Sequence, residues 1–575
     1  MILYDPTAED EAMHGLNLST IPEILDGATL LNADGDLGGM RNLLPLPASS
    51  MFGAGKDPQD LRKLMRKLSA RISREPDLSE DRPEEETNPN LPSGYTYLLQ
   101  FIAHDMVNTS VSLAVSEGRR FGFNNARQLP LTLETIYGGG PDVAPQAYEY
   151  SRLCAQSRGF MPRTRFRCGR TRNQSGSTNN MPFADIGRAA PVDVRDDGIG
   201  GRCLRTEALV ADARNEDQAL IAQMTLLFLR MHNFIIDELD AVLPPSTAPE
   251  AYRNFICARF ILALLYRRII VKDVLYRLLD PSVYRYYFLP RIDKSKLASD
   301  PALLDRIPVE FSHGAFRFGH AMIRNRYDVN DKGLIESARA MIINSRRSPS
   351  FTPLSEEWIV KWQNFFQING SGAPKNLSRR LRPNFSSLAR SEFFFGPLSR
   401  EDGPGLPNRD LVSSMFGRVW SVPKLIDELR SKKPELAQFL PAYDGLVPGL
   451  TTWLKATGRS DGISEQLEPE DVAAIAQDPP LPFFVLYEAH ASNNGERLGV
   501  LGSIIIAETM VGAMVKYPLQ VSKWQYDPLL HLKEQFEPFE RLGVGSTALN
   551  NMPEVETFED LLTFMESRGL LDPAQ

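Results

Sequence analysis

The chain has 575 residues, 42% of them hydrophobic and 24% charged, and its 64 Lys plus Arg against 72 Asp plus Glu leave a net charge of -8. That content supports a large buried core and excludes a disordered or fibrous chain, and the acidic balance offers no global attraction to nucleic acid or anionic lipid. Small molecules are therefore the expected partners. The cysteines, Cys154, Cys168, Cys203 and Cys257, form no CxxC pair, so neither a disulfide framework nor a thiolate zinc site is expected, and a reducing cytoplasm is the expected location. The opening "MILYDPTAEDEAMHG" lacks the basic-then-apolar order of a secretory signal. The apolar stretch "LGVLGSIIIAETMVGAMV" is short for a membrane span and carries Glu508, so no transmembrane segment is expected.

In chain order, residues 1–75 read as a lead-in extension with one basic amphipathic helix in "DPQDLRKLMRKLSARIS". The acidic, Pro-rich "REPDLSEDRPEEETNPNLPSG" reads as an exposed loop. From Tyr97 the spacing turns helical, with Leu98, Phe101, Ile102, Asp105 and Met106 on related faces. Residues 110–205 are loop-rich, including a "YGGGP" turn and a segment with arginines from Arg158 to Arg172 that reads as a solvated basic loop. A strong helix is expected over 217–240, with Leu220, Ile221, Met224, Leu227, Phe228 and Met231 at helical intervals. Further helices are expected at 250–279, 309–323, 355–366, 409–416 and 497–515. Alternating strand patterns are scarce, so the fold class is mainly α, one large helical domain over 76–575.

With seven histidines, each can be weighed. His14 falls in the lead-in, His490 and His531 sit in polar surroundings and read as surface residues, and His232 on a core helix reads as a hydrogen-bonded structural residue. His313 and His320 are seven apart in "EFSHGAFRFGHAMIRNRY", about 10 Å on a helix, too far to share one metal. There is no HxxxH, HExxH or EF-hand loop, which disfavours a mononuclear zinc or iron centre. A planar macrocycle relaxes that geometry, because one histidine can hold it from below while another works above. Gly319 beside His320 suits the close approach of such a ring. Arg214 stands just before the long helix, with Asp212 available as its cap.

Taken together, "LLQFIAHDM", "YGGGP", "ADARNEDQALIAQMTLLFLRMHN" and "PVEFSHGAFRFGHAMIRNRYD", in that order, resemble the animal-type heme peroxidases, the superfamily of myeloperoxidase and lactoperoxidase, and most closely its bacterial branch. The resemblance runs from about Leu91 to Pro518. It implies heme b as cofactor, hydrogen peroxide as oxidant, and a small organic donor or halide oxidised through a ferryl intermediate. It places His104 on the distal side as the base that moves the peroxide proton, with Gln100 one turn earlier, and makes Arg214 the charge that stabilises O–O cleavage. His320 becomes the axial iron ligand, with Arg317 beside it. Of the family's two ester links, the one from the residue before the distal histidine is excluded by Ala103, which leaves Asp217. A candidate calcium site is implied at Asp105, Thr132 and Glu134, although Thr132 stands where an acid is expected. The family's asparagine partner of the proximal histidine is expected near "LARSEFFFGPLSREDGPGLP" but matches no residue there. Two alternatives remain. One is a fatty-acid dioxygenase of the same superfamily, disfavoured because Arg317 replaces its radical tyrosine. The other is a heme-binding scaffold without activity.

Overall fold

The computed structural model describes residues 40–72, 86–108, 125–149, 162–170, 184–330 apart from 190–191, 196–201 and 206, then 335–337, 354, 358–455 apart from 393–394 and 398–401, and 467–571 apart from 522–523, 536 and 542. Within these the fold is mainly helical, and the strands are short and form two-stranded pairs. His14, Cys154 and much of the arginine-rich segment lie outside the described residues.

Two helices form the centre. Helix α2 (Gly94–Met106) follows α1 (Pro58–Ile72), and it buries Tyr95, Leu98, Phe101, Ile102 and Met106. Helix α3 (Ala219–Val242) is 24 residues long, about 36 Å. Its first N–H groups are met by Gln218, whose side chain accepts from Leu220 N at 2.6 Å. The two pack side by side with Phe101 stacked on Phe228, ring centroids 4.5 Å apart. Among the described residues α3 is the one helix long and apolar enough to cross a membrane, but 89% of its apolar window is buried inside the fold, as a core helix requires. Helix α4 (Ala248–Ile269) returns along α3 and continues through one π-type turn to Leu278, matching the helix expected at 250–279.

The segment expected as one helix over 309–323 is instead broken. Val309–Ser312 forms a single α turn and Ala315–Met322 a 3₁₀ run, with the break at Gly314, φ -132° and ψ -99°. A Cβ at Gly314 would lie 2.5 Å from both the Glu310 carbonyl oxygen and a Leu481 methyl group, so the chain turns where only glycine fits. His313 and His320 thus sit on different elements. In the expected helix at 355–366, the described part holds one 3₁₀ turn, Trp362–Asn364. The C-terminal half adds α5 (Gly405–Phe416), α6 (Leu481–Asn493) and α7 (Val500–Lys516), all three packed against the 315–322 run. Helix α1 docks on α5, buries Leu61, Met65, Leu68 and Ile72, and pairs its Arg62 with buried Asp402 at 2.7 Å.

Candidate active site

His104 stands near the C-terminus of α2 and is 2% exposed. Its Nδ1 lies 2.9 Å from Asn215 Oδ1, while its Nε2 is buried with no hydrogen-bond partner among the described residues. Burial, with the Arg214 guanidinium nearby, holds the imidazole down at about 3, so at neutral pH it is an uncharged base. Along the same face of α2, Gln100, Ala103 and Val107 are only partly buried. That spacing of three and four residues is one helical stripe, and Gln100 lies one turn before His104 on it.

Arg214 is placed beside His104, but its donors are committed. Nε and Nη2 donate to Asp212, Nη2 also to the His104 carbonyl at 2.9 Å, and Nη1 to the Val107 carbonyl at 2.8 Å. Arg127 joins from the other side, donating to the His104 carbonyl at 2.7 Å and pairing with Asp212. Two cations thus meet the carbonyls at the negative end of α2. Asp212 is held well below the usual carboxylate range, against its burial, by Arg214 and Arg127. Asp212 caps the 3₁₀ turn Ala213–Glu216 through Arg214 N rather than capping α3. Asp217 ends that turn, 5% exposed.

The expected calcium ligands form no metal-holding cluster among the described residues. Asp105 is fully buried and its two oxygens accept from Leu133 N at 3.0 Å and Thr135 N at 3.1 Å. Thr132 Oγ1 donates to the Leu129 carbonyl at 2.7 Å, and Glu134 Oε2 accepts from Gln128 N and Leu129 N. Each group bonds local backbone, and among the described residues no cluster of three His, Cys, Asp or Glu side chains could hold a metal ion. The buried Arg267 guanidinium reaches the same loop, its Nε donating to the Leu131 carbonyl at 2.7 Å in the field of Asp105. The loop needs this clamp, since Leu131 and Leu133 both have left-handed φ, 61° and 62°.

On the other side, His320 lies in the 3₁₀ run with its side chain 19% exposed. Its Nδ1 is 2.8 Å from Asp410 Oδ2, and Asp410 Oδ1 accepts from Arg317 Nη1 at 3.1 Å. This is the partner that sequence reasoning failed to place, and it is an aspartate where an asparagine was expected. Both neighbours are donors, and only a carboxylate presents two acceptors, whereas an amide would turn its NH₂ toward one of them. Asp410 lies three residues beyond the stretch searched, on α5. Helix α2 packs against the 315–322 run, and open space adjoins the backbone next to His320, because a Cβ built on Gly319 meets no atom within 4 Å.

His232 and His313 are hydrogen-bonded within the core. His232 Nδ1 takes the Tyr137 hydroxyl at 2.8 Å and its Nε2 donates to the Thr164 carbonyl at 2.8 Å. His313 Nδ1 takes the Ser413 hydroxyl at 3.1 Å, and its pKa is held down at about 3 by burial and by Arg317. His531, expected as an unpartnered surface residue, is partly buried beside Arg268 at 3.1 Å. Asn215, Arg127 and Arg267 were not singled out from sequence, where each is one polar residue among many.

Residues 165–372 match the model of the family described as Animal haem peroxidase, a span that includes Arg214, Asp217, Arg317 and His320. Thyroid peroxidase of Rattus norvegicus is 27% identical over 193 residues, 34% of this chain and 19% of its own length. Myeloperoxidase of Mus musculus is 27% identical over 315 residues, 50% of this chain and 40% of its own, and lactoperoxidase of Mesocricetus auratus is 31% identical over 140 residues, 24% and 18%. The matched part thus spans about a fifth of the length of the thyroid peroxidases. Among solved structures, peroxidase A from Dictyostelium discoideum has a TM-score of 0.43 at 13% identity, covering 92% of this chain and 91% of that one. The fatty acid alpha-dioxygenase of Oryza sativa has a TM-score of 0.46 at 13% identity, covering 92% and 82%. Residues 165–372 thus match the Animal haem peroxidase family model, and parts of the chain are similar in sequence to thyroid peroxidase, myeloperoxidase and lactoperoxidase.

Proposed function

We propose that the protein is a heme-dependent peroxidase that reduces hydrogen peroxide and oxidises a small organic donor or halide. The observation that carries this reading is the buried, unpartnered Nε2 of His104, on a helix packed against the run that bears His320. A buried nitrogen without a partner is costly, and a bound substrate that donates to it removes the cost. The family supports heme as the cofactor, and three features of this chain fit it: the orphaned His104 nitrogen, the open space beside Gly319, and an orienting carboxylate on His320 Nδ1.

His320 would hold the iron through Nε2, since Nδ1 is engaged by Asp410, and the carboxylate fixes the ring and raises its basicity. Bound heme supplies the redox equivalents for peroxide reduction. His104 Nε2 takes the proton from the oxygen of peroxide that binds and returns it to the oxygen that leaves as water, so a neutral base is required at the start. Burial, aided by the Arg214 charge, keeps that base uncharged, and Arg214 braces the carbonyl end of its helix. Gln100, partly buried one turn before His104, would bond the same small substrate. Any ester to the cofactor would come from Asp217, because Ala103 has no carboxylate. A tyrosyl-radical dioxygenase is the weaker reading, because Arg317, bound to Asp410, stands where such a radical would need a phenol.

Two variants test the assignment of sides. His320→Ala should purify folded but without the Soret band, and His104→Leu should keep the band while its change on mixing with peroxide slows by roughly a hundredfold or more. Full heme binding in His320→Ala would refute the axial role.

A further inference from the structure

The amide of Asn215 is fully buried between His104 and the short helical turn Glu134–Tyr137, and its orientation is fixed by chemistry. Its Nδ2 lies 3.1 Å from the Thr135 carbonyl oxygen and 3.1 Å from Thr135 Oγ1. A carbonyl oxygen can only accept, so the NH₂ must face Thr135 and Oδ1 must face His104. Oδ1 likewise only accepts, so the 2.9 Å contact requires the proton on His104 Nδ1. The lone pair then sits on Nε2, the nitrogen with no partner among the described residues. Thr135 is itself placed by Asp105, which accepts its backbone N–H at 3.1 Å. The adjacent residues His104 and Asp105 are therefore joined through a closed circuit, from Asp105 to the Thr135 backbone, to the Asn215 amide and back to the imidazole.

We infer that Asn215, braced by Thr135, is a positioning residue that holds His104 in the tautomer whose basic lone pair lies on Nε2, ready for a protic ligand before that ligand arrives. The inference rests on the reading of His104 as the peroxide base. Without the Asn215 acceptor, the imidazole can rotate or carry its proton on Nε2, and in either state it cannot take a proton from peroxide. Asp105 acts one step further back, by placing the loop that holds the amide.

The test compares the heme-loaded protein with its Asn215→Leu, Asn215→Asp and His104→Leu variants. The rates read are those of the heme absorption change with hydrogen peroxide, of hydrogen cyanide binding to the ferric form, and of carbon monoxide binding to the ferrous form. Peroxide and hydrogen cyanide must both give up a proton, whereas carbon monoxide has none. Asn215→Leu should slow the first two by between about ten- and a hundredfold and leave the third unchanged. Asn215→Asp keeps an acceptor on Nδ1–H but turns its second oxygen toward the Thr135 carbonyl, so it should slow the same two ligands less than Asn215→Leu does. Equal slowing of all three ligands would show structural loosening and overturn the inference. Wild-type rates in Asn215→Leu beside a slow His104→Leu would also overturn it, whereas a fast His104→Leu would instead refute the reading of His104 as the base. If Asn215→Leu does not fold, Thr135→Val, which removes one of the two acceptors holding the amide, should slow the same two ligands to a smaller degree, and unchanged rates there would count against the circuit.

Discussion

Replacing Asp410 with alanine removes the shared acceptor of two donors in the wall behind His320. Arg317 loses a counter-ion 3.1 Å away, with side chains 11% and 4% exposed. Breaking a buried pair by deleting one partner costs about 3–5 kcal/mol. Arg317 keeps its bonds to the Ser312 carbonyl and to His313, so the low end, about 3 kcal/mol, applies. The lost bond from His320 Nδ1–H adds about 1 kcal/mol, for a total near 4 kcal/mol. Asp410→Asn keeps one acceptor and the same volume, and should fall between, at about 2 kcal/mol, because its NH₂ must oppose one of the two donors. Denaturant unfolding of the wild type and both variants, read as unfolding rates if the transition is irreversible, measures the order. Loss of the orienting bond should also speed heme loss by roughly ten- to a hundredfold. An Asp410→Ala protein within about 1 kcal/mol of the wild type, with unchanged heme retention, would refute the argument that this carboxylate is shared.

The loop clamp predicts that excess EDTA leaves the unfolding midpoint unchanged, whereas Asp105→Ala lowers stability by about 3 kcal/mol by orphaning two buried N–H groups; a midpoint that falls on chelation and returns with calcium would contradict it. His232 is held at about 3 in the fold against 6.5 when unfolded, so the unfolded state binds the extra proton between those values. Its contribution is complete above about pH 6.5 and is lost as pH falls, about 2 kcal/mol between pH 7 and 5. The stability difference between wild type and His232→Gln should shrink by that amount over the interval, and parallel curves would count against it. Arg214→Lys keeps the charge but cannot reach both the His104 and Val107 carbonyls. The heme signal should stay intact while the peroxide reaction slows by about tenfold or more, and a wild-type rate would remove Arg214 from the account.

Much of the helical framework was legible because its signal is periodic and long. The stripe of α3 placed a helix over 217–240 that the structure extends to Val242, and the apolar run ending in α7 was equally clear. The break at Gly314 was not, since it depends on Leu481 packing from a distant helix. Gln100, His104, Arg214 and His320 were singled out from sequence, and the structure brings His104 and Arg214 together and packs the helix bearing His104 against the run bearing His320. What sequence could not supply was the set of supporting groups. Asp410 stands 90 residues from His320 and Asn215 stands 111 from His104, and nothing local distinguishes either from a surface polar residue. The calcium expectation rests on Asp105, which keeps the residue type of a ligand, but in the fold its oxygens accept from the Leu133 and Thr135 N–H groups, and no metal-holding cluster of His, Cys, Asp or Glu stands among the described residues.

Rapid mixing of the heme-loaded protein with hydrogen peroxide, followed by absorption at the Soret band in the presence and absence of a phenolic donor, tests the central claim most directly. The account predicts a spectral change within the first second at micromolar peroxide that reverts as the donor is oxidised, and that is slowed in His104→Leu. Bound heme whose spectrum peroxide leaves unchanged, with the donor untouched, would contradict it.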